Sequence, residues 1–179
     1  DRNGTPRGGF FLDLYARPKK RGGAWMDQCV GRIQLAGASA LPIAYLVCNF
    51  APPVGEQPSL LTHHDVRTLF HECGHGFHHL LTRVNGPSVA GINGVPWDAV
   101  ELPSQFMENF AWREEVLPLI SGHVETGAPL PLEALRKLQA TRSFQAGMQS
   151  VRQLEFALFD FRLHAEFSPE HGSRLMQTL

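Results

Sequence analysis

Hydrophobic and polar positions follow a two-residue period at the start of the chain and a helical period later. Side chains in residues 9–16 alternate between two sides, which predicts a strand. After a basic turn at 18–23, residues 24–35 are ambiguous and favour a second strand. The apolar run 41–50 predicts a buried strand, which the prolines that follow it would end. These segments indicate a small sheet within residues 9–50.

The chain after residue 60 has the spacing of helices. Thr62 and Asp65 form a capping-box pattern, and apolar residues then repeat at helical intervals through about residue 82. Further helices are predicted at about residues 100–117, 131–144 and 146–167. Residues 154–163 are apolar on all sides of the last helix, so we expect it to be buried in a larger body. The predicted fold class is mainly α with a small β-sheet.

Composition narrows the function. The 179 residues carry 16 Lys and Arg against 17 Asp and Glu, so there is no basic excess for binding nucleic acid. No apolar run approaches the roughly 20 residues of a membrane-spanning helix, and we predict no membrane partner. The cysteines at 29, 48 and 73 fit neither a disulfide framework nor a CxxC zinc pattern, which favours a reducing compartment. Because the chain begins at Asp1, we interpret it as a piece of a longer protein.

His71, Glu72 and His75 form an HExxH motif in the first predicted helix. Residues four apart lie about 40° apart around a helix, so both imidazoles project from one face. Two such nitrogens suit one zinc ion, and Glu72 can reach a metal-bound water from the side and accept its proton. Gly74 and Gly76 each cost about 1 kcal/mol in a helix, which a close neighbour at that position would explain.

A catalytic zinc site needs a third protein ligand and an open position. Six downstream residues are candidates: Asp98, Glu101, Glu108, Glu114, Glu115 and His123. Glu101 begins the second helix after a flexible loop and can ligate the metal, while Glu108, two turns on, can accept the outer N–H of a ligand histidine. The alternative is that Glu101 caps the helix with Asp98, although Pro103 weakens it.

The other histidines are weaker candidates for metal ligands. His75 and His79 form a second pair at helical spacing, which ranks below the first because no glutamate follows His75. Packing or solvent contact is the ordinary interpretation of four histidines in this helix: His63, His64, His78 and His79. No motif includes His123, His164 or His171. Cys73 lies on the opposite helix face and is interpreted as a buried apolar side chain.

Five segments together resemble the thimet-oligopeptidase family of zinc metallopeptidases, and most of all its bacterial oligopeptidase A branch. They are HECGHGFHH at 71–79, GINGVPWD at 91–98, VELPSQFMEN at 100–109, FLDLYAR at 11–17 and RQLEFALFD at 152–160. They extend the resemblance almost from end to end. The combined match is far more specific than HExxH alone.

The resemblance implies one Zn²⁺ per chain, with His71, His75 and Glu101 as ligands and Glu72 as general base and acid. It implies a zincin-like catalytic core that hydrolyses short peptides in the cytoplasm, and a sheet edge near the metal that pairs with extended peptide. It places the loop from Gly91 to Gly94 over the substrate, although a plain surface turn is the alternative.

The resemblance also implies residues outside this sequence. Members of the family have several hundred more residues, and a downstream segment supplies a His and Tyr residues that stabilise the oxyanion. The only tyrosines here are Tyr15 and Tyr45. We therefore expect the chain by itself to have weak or no peptidase activity, and the remainder of the catalytic domain to be its partner.

The interpretation is thus a partial metallopeptidase domain over residues 1–179. Its sheet would lie at about 9–50, its metal-binding helices at about 62–117 and its supporting helices at about 131–167. Two alternatives stay open: a structural metal module that closes its site with a fourth side chain, and a metal-free helical module in which the histidines only pack or face solvent.

Overall fold

The computed structural model describes residues 2–166, and it combines helices with a small sheet. Strands β1 to β5 and helices α1 to α5 follow one another in chain order. The strands are Gly9–Tyr15, Trp25–Val30, Ile33–Leu35, Ala38–Ala40 and Ile43–Phe50; the helices are His63–Leu80, Leu102–Glu108, Leu117–Ile120, Leu132–Thr141 and Ala146–Glu166. The chain forms two compact units, Asp1–Leu130 and Pro131–Leu179.

Strand β5 is the centre of the three-stranded sheet in the first unit. It pairs with β1 in parallel and with β2 in antiparallel orientation, so β1 and β2 are the edges. Five of its residues are buried and form much of the core: Ala44, Leu46, Val47, Cys48 and Phe50. Burial raises the pKa of the Cys48 thiol to about 11, so this thiol stays protonated as an apolar group.

The predicted strands at 9–16 and 41–50 are confirmed, and the ambiguous stretch 24–35 contains β2 and β3. Strand β4 was not predicted. It pairs with β3 through a two-residue turn in which Gly37 has φ +85°, a backbone conformation typical of tight hairpins. The two strands are only three residues each, which is too short for a periodic signal.

The capping box at the start of α1 is confirmed. The hydroxyl of Thr62 accepts a hydrogen bond from the Asp65 amide at 3.2 Å, and the Asp65 carboxylate accepts one from the Thr62 amide at 2.8 Å. This reciprocal pair satisfies two amides that the helix itself leaves unpaired. The result is an 18-residue helix that lies against the sheet and ends two residues earlier than predicted.

The prediction of one helix over residues 100–117 is wrong. The segment consists of α2, a 3₁₀ turn at Asn109–Trp112, and the short α3. Arg113 has an extended backbone with ψ 134°, and Pro118 stands in the first turn of α3. A proline inside a continuous helix would remove a backbone hydrogen bond, so the chain leaves the helix and starts again.

The second unit contains α4 and α5 among its described residues. Both helices were predicted, although the predicted end of the last one at Phe167 lies outside the described residues. The expected burial of α5 is not found, since none of its residues is buried and Leu154, Phe156 and Phe161 are all more than half exposed. The other described helix of this unit, α4, has ten residues and is too short to cover the 21-residue α5 along its length.

Candidate metal centre

Helix α1 holds the two histidines of the HExxH motif one turn apart. Their ring centroids are 5.0 Å apart with planes at 80°, as expected for neighbouring side chains on one helix face. His75 is buried and His71 is partly buried. Burial is the main cause that lowers the pKa of His75, and this favours the neutral imidazole that can bind a metal.

Gly74 allows α2 to approach α1 closely. A Cβ atom on Gly74 would lie 2.5 Å from the Cα of Ser104 and 2.6 Å from the carbonyl oxygen of Pro103. The prediction that a close neighbour explains the mid-helix glycines is therefore confirmed here. At Gly76 the neighbour is the side chain of Leu46, 3.1 Å from the position of a Cβ. The contact at Gly74 brings the first residues of α2 beside the histidines.

Glu101 stands at the N-cap of α2 and reaches both histidines. Its Oε2 is 3.1 Å from Nε2 of His71 and 3.2 Å from Nε2 of His75. Ser104 donates a hydrogen bond to the same oxygen at 2.7 Å. Burial opposes the ionisation of Glu101, but this hydrogen bond and the two histidines outweigh it and lower the carboxyl pKa. The structure thus favours an ionised carboxylate facing two imidazole nitrogens.

The three donor atoms fit a zinc ion. Within residues 2–166, His71, His75 and Glu101 are the group of metal-binding side chains whose ligand atoms all lie within 4.8 Å of one another. A tetrahedral ion with bonds of about 2.0–2.1 Å separates its ligand atoms by about 3.3 Å, close to the distances found between each histidine and the carboxylate. Two histidines and one glutamate are also the donor set of a known class of catalytic zinc sites.

Glu108 holds the outer nitrogen of one histidine. Its Oε1 is 2.8 Å from Nδ1 of His71, and its Oε2 is 3.6 Å from Nε of Arg67. A hydrogen bond from Nδ1 to the carboxylate leaves the lone pair of Nε2 directed at Glu101 and the space beside it. This contact is the one expected of a carboxylate that orients a ligand histidine.

Glu72 is 4% exposed, and its Oε2 has no hydrogen-bond partner in the described residues. Burial is the main cause that raises the pKa of its carboxyl, the nearby charge of Glu101 adds to the rise, and His71 opposes it. A buried carboxyl with a raised pKa and a free oxygen is suited to accept a proton.

A cavity of about 530 Å³ lies directly beside these groups, and we call it the metal-side cavity. His71, Glu72, His75 and Glu101 form its polar wall. The remaining wall is mostly apolar, with contributions from β2 and from the loop before α2: Trp25, Met26, Ile92, Val95, Trp97 and Val100. One polar patch in an otherwise apolar cavity is the usual arrangement of a small-molecule or peptide site.

The glycines of the predicted substrate loop have different surroundings. Ile92 and Val95 of this loop line the metal-side cavity. Gly91 itself is buried against His79, whereas Gly94 is exposed and has no atom closer than 3.5 Å to the position of a Cβ. Both have positive φ, +64° and +71°. The loop therefore borders the cavity through its apolar side chains.

The rest of the candidates lie apart from the cluster. Among the described residues, the structure does not bring Asp98, Glu114, Glu115 or His123 to the three donor atoms. His79 is fully buried and its Nε2 bonds the Val30 carbonyl, while His63 bonds the Ala111 carbonyl, so both pack as the ordinary interpretation expects. Cys73 is only partly buried. The sequence analysis did not identify Ser104 as a partner of the Glu101 carboxylate, although its position three residues after Glu101 could have indicated that contact.

No helix among the described residues has both the length and the apolar character needed to cross a membrane.

Comparison with known proteins gives a family match along the whole chain. Residues 1–179 match the family model of peptidase family M3. The chain is 60% identical over 180 residues to oligopeptidase A of Escherichia coli, covering 100% of this chain and 26% of the relative. It is 49% identical over 174 residues to the organellar oligopeptidase A of Arabidopsis thaliana, a match that covers 94% of this chain and 22% of that relative. It is 38% identical over 164 residues to dipeptidyl carboxypeptidase of E. coli, a match that covers 92% of this chain and 24% of that relative. The chain spans about a quarter of the length of these curated relatives.

Proposed function

Because the chain belongs to peptidase family M3, we propose that it forms the metal-binding part of a zinc endopeptidase that hydrolyses short peptides. The observation that carries the proposal is the convergence of His71, His75 and Glu101 beside the buried carboxyl of Glu72. The relatives support the reaction class, since their names are those of oligopeptidases and a dipeptidyl carboxypeptidase. The fold that we propose is a zincin-like core built on α1.

His71, His75 and Glu101 would hold one zinc ion, and Glu108 would orient His71 through its outer nitrogen. When bound, zinc polarises a peptide carbonyl and lowers the pKa of water. Three protein donors would leave one coordination position of a zinc ion open, which distinguishes this proposal from a structural site closed by a fourth side chain. No fourth donor joins the cluster among residues 2–166.

Glu72 moves the proton. Its Oε2 accepts a proton from the attacking water as the water oxygen bonds to the scissile carbonyl carbon. The same carboxyl then donates that proton to the amine nitrogen as the carbon–nitrogen bond breaks, so proton and electron pairs balance within one hydrolytic step. The raised pKa of Glu72 makes its carboxylate a stronger proton acceptor, which favours the first of these two transfers.

The free edge of β2 provides a place for the peptide backbone. Strand β2 pairs with β5 on one side only, and its residues Trp25 and Met26 line the metal-side cavity. An extended peptide can add to such an edge by backbone hydrogen bonds. The apolar cavity wall would then contact the peptide side chains.

We assign this activity to the full-length protein that carries the sequence. The resemblance to the thimet-oligopeptidase family places oxyanion-stabilising residues downstream of this chain, so the 179 residues alone would have weak or no activity. The proposed location is the cytoplasm. It is supported by three cysteines that form no disulfide, as is typical of proteins in reducing compartments.

The test is Glu72→Gln in the full-length protein, with hydrolysis of a short quenched peptide and zinc content as the two measurements. We expect the variant to keep stoichiometric zinc and to lose about 10²–10⁴-fold in turnover, because Gln cannot accept the proton. Glu114→Gln changes an exposed glutamate outside the cluster in the same way and should leave both measurements unchanged. An active Glu72→Gln variant would contradict the assigned base, and a zinc-free wild type would favour the metal-free alternative.

A further inference from the structure

The two apolar walls of the metal-side cavity come from different parts of the chain. Trp25 and Met26 belong to β2, whereas Ile92 and Val95 belong to the loop 91–95. The width of the cavity therefore depends on what fixes the loop against the strand. Two contacts outside the metal cluster do this.

The first contact is made by His79, which is 0% exposed near the end of α1. Its Nε2–H donates to the carbonyl of Val30, the last residue of β2, at 3.0 Å. On its other side the ring touches the backbone of Gly91: a Cβ there would lie 2.4 Å from Nδ1 of His79. The imidazole is thus a spacer between the end of the strand and the beginning of the loop.

The second contact is made by Asn93, one residue beyond the cavity-lining Ile92. Its Nδ2 donates to the side-chain oxygen of Gln28 in β2 at 2.7 Å and to the carbonyl of Pro87 at 2.8 Å. One amide group thereby connects the loop to the strand and to the 3₁₀ turn Pro87–Val89, which precedes the loop. Like His79, it has no place in the metal cluster.

We propose that His79 and Asn93 are positioning residues that set the separation between β2 and the loop 91–95, and thereby the fit of the peptide in the metal-side cavity. This rests on the proposed function, because it assumes that peptide occupies the cavity. Loss of either contact lets the loop move relative to the strand edge. The effect falls on the binding of peptide, since neither residue touches Glu72 or a proposed zinc ligand through a hydrogen bond.

Two loop glycines give a matched pair of variants in the full-length protein. Gly91→Ala and Gly94→Ala impose the same kind of left-handed backbone strain, but only Ala at 91 collides with His79. We expect Gly91→Ala to raise KM for a short quenched peptide at least about fivefold, with kcat within about twofold and zinc content unchanged. Gly94→Ala controls for the backbone strain and should raise KM less than Gly91→Ala does. Equal KM values for the two variants would overturn the proposal.

Asn93→Ala provides a test that does not strain the backbone. Asn93→Ala and Gln28→Ala should each raise KM, and the double variant should be no worse than the worse single variant, because both remove one contact. Additive effects would contradict the contact. His79→Gln retains an amide donor for the Val30 carbonyl, so its KM should rise less than that of His79→Leu.

Backbone amide exchange tests the positioning contact independently of the proposed function. Gly91→Ala should speed exchange in the loop 91–95 and in residues 28–30 relative to Gly94→Ala, whether or not the protein hydrolyses peptide. An inactive wild type would count against the proposed function, and the exchange comparison would still decide the positioning contact. Unchanged exchange in both segments would overturn the role of His79.

Discussion

Helices α1 and α2 both contribute to the metal cluster, but they are built very differently. Helix α1 has 18 residues, a complete capping box and a buried His75. Helix α2 has seven residues and no side-chain cap, and the Glu101 side chain at its start is 48% exposed. The comparison teaches that the histidine pair is fixed by its own helix, whereas the carboxylate reaches the site only because α2 lies against α1.

The contact between the helices is therefore as important as the donor atoms. Gly74 supplies the room that lets the backbone of Pro103 and Ser104 approach, and Ser104 in turn holds the Glu101 carboxylate. A side chain at position 74 would separate the two helices. The donor set would then split into a histidine pair and a distant carboxylate.

Removal of a proposed ligand should give the largest effect and the clearest test of the comparison. His75→Ala and Glu101→Ala should each weaken zinc binding by more than roughly 100-fold, since even the outer partners of metal ligands contribute about 10–100-fold. We expect the loss to be greater for His75→Ala. Without Glu101 the two imidazoles still face each other on α1, whereas without His75 only His71 and an exposed carboxylate remain.

Competition with a fluorescent chelator measures both affinities in the full-length protein. His64→Ala is the control, because this exposed histidine lies on the same helix outside the cluster. If Glu101→Ala loses more affinity than His75→Ala, the histidine pair is not the fixed part of the site. Loss of zinc binding in His64→Ala would show that substitutions elsewhere in α1 also disturb the site, so that the effect is not specific to the donor atoms.

The next effect comes from the helix contact itself. Gly74→Ala should gain about 1 kcal/mol in helix propensity but should lose more through overpacking, typically 1–3 kcal/mol, because the clash is with the backbone of α2. Displacement of Glu101 should also weaken zinc binding by about 10–100-fold. Gly76→Ala has the same gain in propensity, and its neighbour Leu46 is a side chain that can shift.

Zinc affinity and thermal unfolding of the two alanine variants provide the measurement. Gly76→Ala should remain close to the wild type in zinc affinity. Equal zinc affinities for the two variants would mean that α2 shifts together with α1 and that Glu101 stays beside the histidines. The proposed dependence of Glu101 on the contact at Gly74 would then be wrong.

The difference between the two helices also explains what sequence could predict. The pattern of α1 is local: Thr62 and Asp65 cap it, and its apolar residues repeat along 18 positions. Its start followed from that pattern, and so did its end to within two residues. The predicted helix over 100–117 is interrupted instead at Arg113, whose backbone is extended, and α3 begins again with Pro118 in its first turn. The helix that was expected to be continuous is therefore three short pieces.

Long-range contacts set a second limit on sequence analysis. Spacing alone placed His71 and His75 on one face, because four residues make about one turn. It could name Glu101 and Glu108 as candidates, but their distances to His71 depend on how α2 packs. The bond from His79 to Val30 spans 49 positions and has no local pattern at all. The resemblance to a family supplied the choice among candidate ligands that spacing left open.

The smallest expected effect tests whether α1 is as rigid as the comparison assumes. Thr62→Ala removes the hydroxyl that accepts the Asp65 amide, and N-cap losses of this kind cost about 1 kcal/mol. Amide exchange at Asp65 and Val66 should become about fivefold faster, which is the factor that 1 kcal/mol represents. Thr62→Ser keeps the hydroxyl and should exchange like the wild type. Zinc affinity should hardly change, because His71 lies nine positions into the helix. A tenfold loss of zinc affinity in Thr62→Ala would show that fraying at the start of α1 reaches the histidines, and α1 and α2 would then be equally adaptable parts of the site.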